Sequence, residues 1–157
     1  MKEYSEKIYE SIKAFLDGDD WKYSFSADSA FFEMGVKLDC KLKSTKLMIR
    51  VGEDDYTVYA TIALNADGES RAAVAEYLTR VNWRLRCGCF EMDMSDGEIH
   101  YKIFVDCGDD CDCLPTYSVV RNSVYIAADM VRKYSDGLLA VMYGFQTPEE
   151  AAKATEA

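Results

Sequence analysis

Apolar positions recur along this chain with two periods, and the switches between them lay out the elements. Tyr4, Ile8, Ile12 and Phe15 step by three and four away from Glu3, Lys7, Glu10 and Lys13, which predicts an amphipathic helix over 2–17 stopped at Asp17-Gly18. The period then falls to two. Trp21, Tyr23 and Phe25 alternate with Lys22, Ser24 and Ser26, and three further runs follow: Phe32, Met34, Val36 and Leu38; Leu47, Ile49 and Val51; Tyr56, Val58, Ala60 and Ile62. Short polar turns between them imply an antiparallel meander. After Gly68-Glu69-Ser70 the helical period returns with Val74, Tyr77, Leu78, Val81 and Leu85. The longest element runs from Tyr117 to Val141 behind Pro115, about seven turns at the usual pitch, with Val119, Ile126 and Met130 widening its apolar face. Gly137 is a candidate kink, because glycine inside a helix costs roughly 1 kcal/mol. Thr147-Pro148-Glu149-Glu150 reads as a capped extra turn, with 147–157 expected to fray.

Between the second and third helices lies a hairpin. Asp96-Gly97 suits a two-residue type I′ turn in which Ser95 faces Glu98. That register sets Met94 against Ile99, Met92 against Tyr101 and Phe90 against Ile103 on one face, with Asp93 against His100 and Glu91 against Lys102 on the other. The order is helix, four strands, helix, two strands, helix. The expected fold class is therefore α+β, an antiparallel β-meander with helices on one face, in a single domain spanning 1–157.

Charge narrows the partners. The 157 residues include 18 basic and 28 acidic side chains, for a formal net charge of −10, and such a surface repels phosphate backbones and anionic lipid. Neither nucleic acid nor membrane is an expected partner. Acidic residues stand in the first seven positions where a signal peptide would be apolar, and no run reaches membrane-spanning length, so a soluble cytoplasmic protein is expected.

The residue types that carry chemistry form no familiar site. His100 is the only histidine, mid-strand and without a nucleophile nearby. Five of six cysteines, Cys87, Cys89, Cys107, Cys111 and Cys113, fall at the open end of the hairpin, with Cys87 expected beside Asp106 and Cys107. Their Cys-x-Cys and Cys-x3-Cys spacings differ from the paired Cys-x2-Cys of structural zinc, but their convergence keeps a metal-binding or redox role as the alternative reading. Asp106, Asp109, Asp110 and Asp112 lack the ligand pattern of an EF-hand loop. No phosphate loop, nucleophile elbow or His-Glu-x-x-His helix occurs, so neither an enzyme nor a cofactor is expected. What remains is the sheet face that helices leave uncovered. By alternation it carries Lys22, Ser24, Glu33, Lys46, Arg50, Thr57, Thr61, His100 and Lys102 together with Phe31, Met48, Tyr59 and Phe104. These last four are the candidate partner-binding residues, because clustered exposed apolar groups mark interaction surfaces.

Several segments in order resemble the YbjN domain family, a group described by a regulatory role in bacterial sensory transduction and similar in fold to type III secretion chaperones. They are Asp20-Trp21-Lys22-Tyr23, Val58-Tyr59-Ala60, Val81-Asn82 to Leu85, Gly88-x-Phe90-Glu91-x-Asp93 with Asp96-Gly97-Glu98 and Tyr101, and Tyr143-Gly144 before Pro148-Glu149-Glu150-Ala151. The likeness covers about 2–152, and the clustered cysteines and acidic loop depart from it. The resemblance implies a small acidic α+β domain without catalytic residues. It also implies a module that commonly forms a homodimer and holds an extended segment of a client protein.

Overall fold

The computed structural model describes residues 3–156. The expected helix start at residue 2 and the end of the tail at 157 lie outside the described residues. Helix α1 (Glu6–Gly18) is capped by Ser5, whose hydroxyl accepts the Ile8 N–H. Strands β1 (Tyr23–Ser26), β2 (Phe31–Lys37), β3 (Ser44–Val51) and β4 (Asp55–Thr61) follow as a meander. Helix α2 (Arg71–Asn82) leads to β5 (Cys89–Met92) and β6 (Ile99–Asp106), and a short 3-10 turn, Asp109–Cys111, precedes α3 (Tyr117–Met142) and α4 (Pro148–Ala154). All six strands form one antiparallel sheet in the order β1-β2-β3-β4-β6-β5, so the hairpin joins the meander through β6. This is the expected α+β arrangement.

Alternation decides which side the helices cover. Phe32, Leu47, Ile49, Val58, Ala60, Tyr101 and Ile103 all point to the helical side and are buried. Against them pack Ile8, Ile12, Phe15 and Leu16 of α1, Val74 and Tyr77 of α2, and Val120, Val124, Ala127 and Val131 of α3. Helix α3 spans 26 residues and lies on β3, β4 and β6, flanked by α1 and α2.

Three local expectations change. Gly137 does not kink α3; it makes room for Tyr77, whose hydroxyl donates to the Tyr134 carbonyl at 2.8 Å, and a Cβ at 137 would stand 2.6 Å from that hydroxyl. The stretch expected to fray is helix α4, closed by a capping box between Thr147 and Glu150, with Ala151 and Ala152 buried against the other helices.

The hairpin register differs by two residues. Met92 faces Ile99, Glu91 faces His100, Phe90 faces Tyr101 and Cys89 faces Lys102. The Asp93 N–H bonds the Glu98 carbonyl and the Gly97 N–H bonds the Asp93 carbonyl, so the turn spans Met94 to Gly97. The cause is competition from side chains: the Asp93 carboxylate accepts from the Ser95 N–H and hydroxyl (2.8 and 2.6 Å), and Asp96 accepts from the Glu98 N–H (2.9 Å). Within the turn only Gly97 takes a positive φ, +80°, and its Cα lies against the Ala66 backbone where no Cβ would fit. A shift of two preserves both faces, so only Met94 changes place and projects outward from the turn.

Candidate functional site

The uncovered side of the sheet is built from the residues between the core positions. Across β2, β3, β4 and β6 one row reads Glu33, Met48, Tyr59, Lys102, and the next reads Phe31, Arg50, Thr57, Phe104. Met48 and Tyr59 are direct neighbours, while Phe31 and Phe104 stand on the diagonals at either end, within reach of long side chains. The Phe31 and Tyr59 rings lie 6.4 Å apart, and Tyr59 meets His100 edge-on at 5.1 Å. The four sequence-identified residues thus form one bowed strip, its two ends in the same row. Phe31, Met48 and Tyr59 are half-buried and Phe104 is 60% exposed.

Ion pairs border this strip. Lys46 meets Glu33 at 3.1 Å, Arg50 meets Asp55 at 3.0 Å, and Glu91 holds both Lys102 and, at 3.0 Å, His100. Burial pushes the Glu91 carboxyl up, but hydrogen bonds from Lys102 and His100 outweigh it and hold the group below the usual glutamate range. The same contact raises Lys102. His100 is therefore tied to Glu91, where the two-residue turn would have placed Asp93 opposite it. An apolar strip with a charged rim is the usual anatomy of a recognition surface.

The five cysteines do not form a metal-holding group among the described residues. With the ladder shifted, Cys89 stands opposite Lys102, and continuing it would bring Cys87 two residues short of Asp106. Cys107, Cys111 and Cys113 lie in the loop after β6, where the Cys113 N–H bonds the Cys107 carbonyl and the Cys111 thiol donates to the Glu53 carbonyl (2.9 Å) with the Ser5 hydroxyl 3.1 Å from its sulfur. Burial pushes the Cys107 thiol up to about 11, with Cys111 and Asp106 adding to it, which disfavours the thiolate that metal or redox chemistry needs. Among the described residues no group of three or more Cys, His, Asp or Glu could hold a metal ion, and all six cysteines are free thiols.

Sequence reasoning missed a second set of exposed aromatics on the helical side: Trp83 at the end of α2 (88% exposed), and Tyr143 and Phe145 after α3 (62% and 82%). The signal for the last two lay in Tyr143-Gly144-Phe145, where a glycine ends an apolar helix. Among the described residues no helix is long and apolar enough to cross a membrane.

Searches of curated proteins and of solved structures give no significant match. The family model YbjN, described as "Putative bacterial sensory transduction regulator", matches residues 9–140, from α1 to within the last turn of α3. That match takes in the whole six-stranded sheet and most of the chain, so the protein belongs to the YbjN family.

Proposed function

We propose that this protein is a non-enzymatic regulatory module that binds a protein partner on the open face of its sheet, either a client segment or a second copy of itself. The observation that carries the reading is the strip Phe31, Met48, Tyr59 and Phe104, framed by ion pairs on a side that no helix among the described residues covers. The family's regulatory description supports it, and dimerisation and client holding are what the sequence's resemblance to secretion chaperones suggests. The tethering of His100 and the protonated Cys107 weigh against catalysis. A net charge of −10 favours protein over nucleic acid or lipid as the ligand and suits work in the cytoplasm.

A photo-crosslinking amino acid placed at Met48, Tyr59 or Phe104 in cells of the native organism tests this. A discrete adduct, with another protein or at doubled mass, is expected from these positions and not from Glu10 on the outer side of α1. No adduct from the three, or the same adduct from Glu10, would overturn the proposal.

A further inference from the structure

At the far end of the helical layer, beside α4, lies a cavity of about 640 Å³, within the range of small-molecule sites. Its wall is mainly apolar, formed by Leu139, Ala140, Tyr143, Phe145, Ala151 and Ala154. The space follows from the sequence: α4 presents alanines where larger side chains would fill the gap against α3.

The backbone at the end of α3 makes the aromatic rim. The Gly144 N–H bonds the Val141 carbonyl (3.1 Å) and the Phe145 N–H bonds the Ala140 carbonyl (2.7 Å), with Gly144 at φ +74°. This is a Schellman stop, in which the residue after the glycine usually covers the helix residue five positions back. Here that residue is Phe145, which stays 82% exposed, while the Ala140 it would cover lines the cavity. The contact that normally completes the motif is left open for another molecule.

Charge selects what that molecule is. Lys41, from the β2–β3 connection, and Lys133, on α3, stand at the wall, and among the described residues neither is ion-paired. The one carboxylate present, Asp136, accepts the Lys41 backbone N–H at 3.0 Å, leaving the set with a positive balance on a chain of net charge −10. The Lys133 ammonium lies 5.1 Å over the Tyr134 ring, a contact that leaves its charge without a counter-ion, so an apolar slot with two cations lacking ion pairs at its rim matches an anion with an apolar body. We propose that this cavity binds a small amphipathic carboxylate, its tail against Leu139, Ala140 and Phe145 and its head beside Lys133 and Lys41. The site is separate from the open sheet face, and neither proposal depends on the other.

Isothermal titration of the full chain with decanoate and its neutral counterpart decanamide, both below their aggregation limits, tests it. Saturable one-site binding is expected, with decanoate about tenfold tighter, equivalent to about 1.4 kcal/mol. Lys133→Gln with Lys41→Gln should remove that preference and leave decanamide unaffected. Leu139→Trp should abolish binding of both, and Ala154→Trp, on the exposed side of α4, does the same if Leu139→Trp fails to fold. Equal affinity for the two probes, no saturable binding, or undiminished binding in the filled variants would overturn the assignment. So would a dimer in light scattering that Phe145→Ser dissolves, because the cavity would then be an interface between copies.

Discussion

The two sides of one sheet are made from neighbouring residues and obey different rules. On the helical side Ile49, Val58 and Ile103 stand in line across three strands and are buried, so each is fixed by the volume around it. On the other side Met48, Tyr59 and Lys102 stand in line one residue away, half-exposed and bounded by ion pairs, and no described helix packs over them. The contrast teaches that alternation divides labour within a strand: even neighbours such as Met48 and Ile49 answer to folding on one side and to recognition on the other.

The largest effect should come from crossing that line on the buried side. Ile49→Ala should cost about 2–5 kcal/mol by chemical denaturation, whereas Met48→Ala, one residue earlier, should cost less than about 1 kcal/mol. Comparable losses would erase the distinction. Next comes Gly137→Ala, which drives a Cβ against the Tyr77 hydroxyl and breaks its bond to Tyr134. A loss of about 1–3 kcal/mol is expected, partly recovered by adding Tyr77→Phe.

Asn82→Ala should follow, at about 1–2 kcal/mol. The Asn82 amide donates to the Phe90 carbonyl (2.9 Å) and accepts the Phe90 N–H (2.8 Å), standing in for a neighbouring strand along the β5 edge. Its loss exposes that edge, so self-association seen by light scattering should rise as well.

The smallest effect concerns the rim. Glu91 sits below the usual glutamate range when folded, so its contribution is present above that range and fades as pH falls through the depressed value. Lys102, raised by the same pair, loses its contribution as pH rises through its own elevated value. Both side chains are partly exposed and screened, so Glu91→Gln should flatten the acid limb of a pH–stability curve only slightly.

Much of this was legible in the sequence, for a physical reason. Burial on one side forces a two-residue period on strands, so Phe32 to Leu38, Leu47 to Val51 and Tyr56 to Ile62 declared both their elements and their faces, and with them the strip from Phe31 to Phe104. Register was less legible. The hairpin is set by the Asp93 and Asp96 carboxylates bonding backbone N–H groups, and a two-residue slip leaves the apolar pattern intact. The expected placement of Cys87 beside Asp106 rested on that register and changed with it. The docking of α4 was hidden because alanines at 151 and 152 carry little apolar signal, and a cavity is what a sequence leaves out rather than what it contains.

One comparison addresses the division between faces most directly: partner capture from native-organism extract by Met48→Ser/Tyr59→Ser, measured beside its thermal unfolding. If the open face serves recognition, the double variant should melt within a few degrees of the parent and lose the partners the parent retains. Retained capture, or a collapse in melting temperature, would contradict it.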